Sequence, residues 1–337
     1  MQAQLFPEIA RDNAVAQQGK APEAPAATRL VGIHTSIAGG VGEALERASR
    51  LRCTTMQIFS ASPRMWTDGR QAIDAEAAGR FGQRRSQLGI GPLVIHANYL
   101  INLAAPAGKT QARTILGFRG EIERALALGA EYLVVHPGSR LDQTIDTAIG
   151  QISRSLRESA AGLALGRLRI LIEITAGQGS AVGSRIEELR AILEACAEMD
   201  LGVCLDTAHL FAAGYEIQQE AGLEKTIAQI DREIGLERVR VVHMNDSKPA
   251  FASHVDRHEH LGQGQIGLDA LRRIVNHPGL AACAFILETP IDRPGDDWRN
   301  VQALWWLAGV EWEGPAEGGD AMADRRGAKT KTEKRKG

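Results

Sequence analysis

Aromatic residues are scarce in this chain, at 4% of its 337 positions, and cysteines number four. Cys53, Cys196, Cys204 and Cys283 are scattered with no C-x-x-C pair, which argues against a disulfide framework and against a thiolate zinc site. No apolar run approaches the roughly 20 residues that span a bilayer. The first residues lack the basic start and apolar middle of a secretory signal. A soluble, cytoplasmic protein that does not engage a membrane is expected. Net charge is also small, at −2, but it hides an asymmetry. From Arg325 to Gly337 seven Lys or Arg stand against one Glu, a net +6, so the rest of the chain carries −8. Outside its tail such a chain does not hold nucleic acid by bulk electrostatics; contact would come from a local patch, bound cations or the tail itself.

What the chain does have is core-forming material, 44% hydrophobic and supplied by Leu, Ile, Val and Ala. Eight short apolar runs stand out: LVGIHTS, TTMQIFS, PLVIHA, YLVVHPG, ILIEIT, GVCLDTAH, VRVVHMND and AFILET. Nearly all end in a polar residue, among them His34, His96, His136, Glu173, Asp206, His243 and Glu288. Burying an unpartnered imidazole or carboxylate costs several kcal/mol, about 2–7 even for a neutral polar group. One such residue could be an accident of packing; seven on successive strands point to a metal site at one end of a barrel.

Helical spacing of apolar residues marks VGEALERASRL, RGEIERALALG, SRIEELRAILEACAEM, LEKTIAQIDREIG and LDALRRIVNHPG between the runs. Eight β-then-α units predict an α/β fold, a single (β/α)8 TIM barrel over residues 29–313 with its metal site at the C-terminal ends of the strands. A doubly wound open sheet would gather ligands at one switch point, whereas here polar groups end nearly every strand. Residues 1–28, mixed and rich in Ala and Gln, are expected to be a poorly ordered leader; residues 314–337 are expected to be a flexible basic tail. That tail would either raise nonspecific DNA affinity as a tethered polycation or serve as a solubilising end.

Zinc favours imidazole nitrogen and carboxylate oxygen, and catalytic sites leave a position open. His96, His136, Glu173, Asp206, His209, His243, Asp256, His258 and Glu288 are the candidate ligands. In L-D-T-A-H, Asp206 ends a strand and His209 follows one turn later; in V-D-R-H, the spacing of two puts Asp256 and His258 on one side of an extended loop. Nine N/O ligands are too many for one zinc ion and suit two or three. His254 and His260 are expected to face solvent, and His277 to sit at a helix end. His34 is expected to support a ligand or touch substrate. G-Q-G-Q-I-G (Gly262, Gly264, Gly267) matches G-x-G-x-x-G, but it follows a polar loop rather than a strand, so no dinucleotide site is expected. That loop and A-G-Q-G-S are expected to bring backbone N–H groups near phosphate or metal.

Over residues 29–310 the chain resembles the endonuclease IV family of zinc-dependent apurinic/apyrimidinic endonucleases. The resemblance rests on G-I-H-T-S-I-A-G-G, H-A-N-Y-L-I-N-L, H-P-G-S, E-I-T-A-G-Q-G-S, C-L-D-T-A-H, F-A-A-G-Y, H-M-N-D-S-K, V-D-R-H and I-L-E-T. It implies three zinc ions (Zn2+), with Mn2+ at one site as a variant. Glu173 would bridge two of them, one also held by His96 and His136, the other by Asp206, His243 and Glu288. His209, Asp256 and His258 would hold the third. Arg64 and Tyr99 would be DNA-binding side chains that enter the duplex at the lesion. Without the resemblance, Tyr99 reads as a cap on the barrel mouth and Arg64 as a solvated surface residue. The chain carries Asn98 where the family usually has Ser, Ala208 for Cys, Ala252 for Gly and Ile174 for Asn. Loss of an amide beside Glu173 is expected to alter that carboxylate's orientation or water contacts. The loop S-A-S-P-R-M-W also differs from typical members.

The implied activity is hydrolysis of the phosphodiester 5′ to an abasic site in duplex DNA, by a monomer, with Glu173 catalytic. A xylose-isomerase-like sugar isomerase or epimerase is the alternative, since Glu173, Asp206, His243 and Glu288 would suffice for it. A DNA-binding protein without catalysis is a third reading.

Overall fold

The computed structural model of the chain describes residues 29–63, 65–66 and 72–311. Its strands in chain order are β1 (Leu30–Ile33), β2 (Met56–Phe59), β3 (Leu93–His96), β4 (Tyr132–Val135), β5 (Arg169–Glu173), β6 (Gly202–Asp206), β7 (Val239–His243), β8 (Asp246–Ser247), β9 (His258–Glu259) and β10 (Ala284–Leu287). β8 and β9 form a small antiparallel pair; the other eight lie side by side in the order β1-β10-β7-β6-β5-β4-β3-β2. All seven pairings in that sheet are parallel. β1 and β2 then meet: Thr54 N donates to Val31 O at 2.9 Å, Thr35 N donates to Gln57 O at 2.9 Å, and His34 bridges Gln57. The sheet is closed on itself, which excludes the open doubly wound alternative.

Helices α1 (Val41–Arg50), α2 (Ala75–Leu88), α3 (Lys109–Ala127), α4 (Ile145–Ala160), α5 (Ile186–Ala195), α6 (Thr207–Ala213), α7 (Glu220–Glu233), α8 (Leu268–Asn276) and α9 (Asp296–Leu307) surround it. Local sequence sets several ends. Asp74 caps α2 by accepting from Ala77 N, Thr144 caps α4, and Gly89 closes α2 in the left-handed conformation. α3 begins ten residues before the expected R-G-E-I segment, at Lys109. Among the described residues no helix is long and apolar enough to cross a membrane. The expected leader and the whole of the expected tail lie outside the described residues.

Side chains of a strand alternate between its two faces, and here the faces lead to two cores. Val31, Ile33, Ile58, Ile95, Leu133, Ile172, Leu205, Val242, Phe285 and Leu287 pack outward against the helices. Val94, Val134, Leu171, Cys204, Val241, Ala284 and Ile286 pack together inside the barrel, with Leu30 and Tyr132 against them. Each buried Leu or Ile contributes about 1.5–3 kcal/mol relative to exposure. Two residues beyond the inward layer, on the same face, stand His96, His136, Glu173, Asp206, His243 and Glu288. The pleat that fills the barrel also aims the polar groups over the filling.

Closure depends on one small residue. A Cβ added at Gly32 would lie 2.3 Å from the Thr55 carbonyl oxygen, at the β1–β2 seam. Gly32→Ala therefore forces the seam apart and should cost about 1–3 kcal/mol. The expected reading is a lower urea midpoint with an unchanged slope; an unchanged midpoint would contradict the close approach.

Candidate metal centre

Glu173 is completely buried at the end of β5, and its two carboxylate oxygens face different neighbours. Oε2 lies 3.2 Å from His96 Nε2 and 3.0 Å from His136 Nε2; Oε1 lies 3.0 Å from His243 Nδ1 and 3.4 Å from His209 Nδ1. His243 Nδ1 also lies 3.3 Å from Glu288 Oε2 and 3.8 Å from Asp206 Oδ2. His258 Nε2 is 3.5 Å from both Asp206 Oδ2 and Asp256 Oδ1, and His209 Nε2 is 3.2 Å from Asp256 Oδ2. Three clusters result, with ligand atoms mutually within 4.8 Å: His96, His136 and Glu173; Glu173, Asp206, His243 and Glu288; Asp206, His209 and His258. Glu173 is shared by the first two clusters and Asp206 by the last two. Asp256 adjoins the third.

The imidazoles are oriented from behind. Nδ1–H of His96 donates to Ala97 O at 2.8 Å, that of His209 to Ile174 O at 2.9 Å, and that of His258 to Glu288 O at 3.1 Å. Each leaves Nε2 facing the carboxylates. His243 is turned the other way: its Nε2–H donates to Gln57 Oε1 at 2.9 Å, leaving Nδ1 toward the carboxylates. Such outer hydrogen bonds fix tautomer and ring plane in metal-ligating histidines. Asp206 Oδ1 accepts from His209 N at 2.8 Å as the cap of α6, and Oδ2 accepts from Asn245 Nδ2 at 2.7 Å.

The donor set fits cations. His209 Nε2 and His258 Nε2 are buried and make no hydrogen bond, although carboxylate oxygens stand beside them. The atoms approach without pointing at one another, as ligands of a common ion do. Tetrahedral zinc with bonds of roughly 2.1 Å sets its ligand atoms about 3.4 Å apart, close to the separations seen. Cys204 also adjoins Glu173 and His243, its thiol pushed up to about 12 by burial and its Sγ turned to Leu205 O at 3.6 Å. Burial opposes charge on Glu173, yet His136 and His243 outweigh it and hold the carboxyl well below the usual range. Burial likewise opposes protonation of His209, but Asp206, Asp256 and Glu173 hold that imidazole well above its usual range. Burial opposes protonation of His243 too, but Cys204, Glu288 and Glu173 raise that imidazole above its usual range, and Asp256 is held at about 2 by His209 and His258 against its own burial.

Gln57 and Asn245 carry much of this orientation without having been singled out in the sequence. Gln57 Nε2 donates to Glu288 Oε1 at 2.5 Å, and Asn245 Oδ1 accepts from Glu288 N at 2.8 Å. Gln57 stands at an inward strand position, a signal that was available. His34 lies where support was expected, with Nδ1 3.0 Å from Glu288 Oε1. Tyr99 stands at the rim of a 360 Å³ cavity that His96, His136, Asn98 and Asp256 also line. Arg64 lies outside the described residues.

Two expectations are corrected. The amides of G-Q-G-Q-I-G do not reach toward a phosphate or metal: Gly262 N, Gly264 N and Ile266 N donate to the buried carboxylate of Asp246 at 2.9, 3.1 and 2.8 Å. In A-G-Q-G-S, which lines the cavity beside the ligands, the Gln178 side chain accepts from Asp256 N at 3.0 Å and so holds that loop. His260 is not solvent-facing but half-buried, its Nδ1 accepting from Asn300 Nδ2 at 2.9 Å. His254 is exposed and His277 caps the end of α8, as expected.

A family model described as xylose isomerase-like TIM barrel matches residues 45–312. A probable endonuclease 4 of Solibacter usitatus (strain Ellin6076) is 46% identical over 289 residues, covering 85% of this chain and 99% of that protein. The crystal structure of endonuclease IV from Thermus thermophilus superposes with a TM-score of 0.73 at 38% identity, over 83% of this chain and 98% of that one. The chain belongs to the endonuclease IV family. A xylose isomerase domain protein from Planctomyces limnophilus, 19% identical with a TM-score of 0.60 over 83% of this chain and 96% of that one, shares the fold.

The departures from the endonuclease IV pattern sort by position. Ile174 is fully buried in the outer core, on the face of β5 opposite Glu173, so the expected disturbance of that carboxylate does not arise; only its carbonyl touches the centre, through His209. Nothing in the structure explains Ala208, which is simply buried. Ala252 has φ +54°, in the left-handed region where the family's usual Gly is unstrained. Ala252→Gly should therefore stabilise the chain by about 1 kcal/mol, read as a higher thermal midpoint; a lower one would contradict the strain. Cations entering the centre must displace the protons that His209 and His243 retain. Zinc binding to metal-free protein near pH 7 should then release about one proton or more per chain, and affinity should rise with pH. Calorimetry in buffers of different ionisation enthalpy reads this directly; no proton release would contradict it.

Proposed function

We propose that the chain is a zinc-dependent DNA-repair endonuclease that hydrolyses the phosphodiester 5′ to abasic sites in duplex DNA. The products are a 3′-hydroxyl and a 5′-deoxyribose phosphate. The reading rests on one observation above all: three ligand clusters joined by shared carboxylates, in a chain 46% identical to a probable endonuclease 4. His96, His136 and Glu173 would hold one zinc ion, Glu173, Asp206, His243 and Glu288 a second, and His209, Asp256 and His258 a third, with Mn2+ a substitute at one of them. The monomer is the working form.

Bound zinc supplies Lewis acidity, making hydroxide available at neutral pH and neutralising charge on the phosphate oxygens. The chain's own groups prepare that chemistry. Glu173, ionised and fully buried, presents an oxygen to each of two clusters and fixes their separation. Asp206 does the same for the second and third, held by Asn245 and its own capping bond. Asn98, Tyr99, Asn102, Ser139 and Gln178 line the adjoining cavity, which suits a sugar without its base. An abasic nucleotide lacks most of the stacking that opposes extrusion. Tyr99 and Arg64 contact the duplex at the gap.

The isomerase reading needs only the Glu173, Asp206, His243 and Glu288 cluster; it leaves His96, His136, His209, Asp256 and His258 without a role. Incision of a duplex carrying one tetrahydrofuran abasic analogue, with and without a strong chelator, separates the two. A chelator-sensitive cut on the 5′ side leaving a 3′-hydroxyl is expected, since the analogue cannot undergo β-elimination. No cut by zinc-loaded protein would overturn the proposal. Glu173→Gln should lower turnover about a hundredfold or more while damaged-duplex binding survives; near-normal turnover would remove Glu173 from the mechanism.

A further inference from the structure

We propose that Asp246 is a positioning residue for the third metal site, fixing where His258 stands and so how tightly that site closes on an ion; this rests on the three-zinc reading above. The other candidate ligands end barrel strands or open α6, whereas Asp256 and His258 stand on the long connection between β7 and α8. The packing of the barrel strands does not by itself place them.

Asp246 is completely buried in β8, and its carboxylate accepts from five backbone N–H groups. Oδ1 takes those of Ser247 and Ile266, both at 2.8 Å. Oδ2 takes those of Gly262, Gly264 and Gly267 at 2.9, 3.1 and 3.4 Å. Gly264 has no room for a side chain: an added Cβ would lie 2.5 Å from Asp246 Oδ1 and from Ser247 O. Gln265 N donates to Ser247 O at 2.7 Å, which closes the loop around β8. Clustered main-chain amides form a concavity suited to an anion, and here the chain supplies the anion itself.

From β8 the constraint passes to the ligand. β8 pairs antiparallel with β9, Asp246 opposite Glu259 and Ser247 opposite His258, and Lys248 N donates to Arg257 O at 3.0 Å. Tethering Gly262 N to Asp246 draws the end of β9 onto β8. The same end is held from α9, where Asn300 Oδ1 accepts from Leu261 N at 3.1 Å. His258 Nε2 is thereby set 3.5 Å from Asp206 Oδ2 and from Asp256 Oδ1. The preceding residue, Asn245, holds Asp206 Oδ2 itself at 2.7 Å. Asn245, Asp246 and Ser247 thus fix both the shared carboxylate and the imidazole that meets it across the third site. Losing an outer partner of this kind costs about 10–100-fold in metal affinity.

The test strips the full-length chain of metal and titrates zinc back against a chromophoric chelator, counting bound ions by native mass spectrometry. Asp246→Asn keeps the shape but turns an NH2 group toward the loop amides. Gly264→Ala pries the loop away and leaves the carboxylate intact. Each variant should keep two tight zinc equivalents and hold the third about 10–100-fold more weakly. Incision of the tetrahydrofuran duplex should fall at limiting zinc and return with excess zinc. Asp246→Asn that binds all three equivalents as the wild type does would overturn the proposal. So would equal weakening of all three, or failure of both variants to fold, since either marks a general packing role. A wild-type chain that binds three zinc ions yet leaves the lesion uncut would instead overturn the endonuclease reading alone.

Discussion

The two-residue alternation of a closed parallel barrel is the constraint on which everything else in this chain depends. Val94, Val134, Leu171, Cys204, Val241 and Ile286 fill the interior, and each is followed two residues later by an ionisable group on the same face. Sliding any one strand by a single residue would turn its ligand into the outer apolar shell. Fold and site are therefore one specification. The packing that makes the barrel stable also sets the height and direction of His96, His136, Glu173, Asp206, His243 and Glu288.

Such a layer is costly unless its charges compensate one another. Fully buried carboxylates and imidazoles lose their hydration, and only close partners offset the loss. His136 and His243 hold the Glu173 carboxyl well below its usual range, and Asp206, Asp256 and Glu173 hold the His209 imidazole well above its own, each against burial. Cations would take over the same role with greater charge density. The outer hydrogen bonds matter as much as the ligands. The carbonyls of Ala97, Ile174 and Glu288 and the amides of Gln57 and Asn245 leave each imidazole or carboxylate a single direction to offer. The loops obey the same rule of internal satisfaction: the Gly262–Gly267 amides are taken up by Asp246, which anchors the segment just after the Asp256–His258 pair.

Most of the architecture was legible because its signal is periodic. All eight apolar runs became strands of one closed sheet, and their polar ends converged. The helices α2, α4, α6 and α9 were not picked out. α2 buries little beyond Phe81 and shows no clean apolar stripe, whereas α4 carries one in Ile145, Ile149, Ile152 and Leu156, interleaved with the buried Ser153, Ser155 and Ser159. α6 is only seven residues long. Within the site, ligand types could be read from chemistry and spacing, but their partners could not. Gln57 looks like any strand polar residue until the barrel closes and brings β2 beside β1, and the consequence of Ile174 depended on which face of β5 it occupies. The Gly-rich loop misled because its amides serve an anion of the chain itself, a choice that spacing cannot reveal.

The central claim is that three clusters linked by Glu173 and Asp206 form one trinuclear centre. Anomalous scattering at the zinc absorption edge, from crystals of the zinc-loaded chain, tests it most directly. The account predicts three separate peaks, with Glu173 between the first and second. A single peak within Glu173, Asp206, His243 and Glu288, with His209, Asp256 and His258 bonded only to one another, would contradict it.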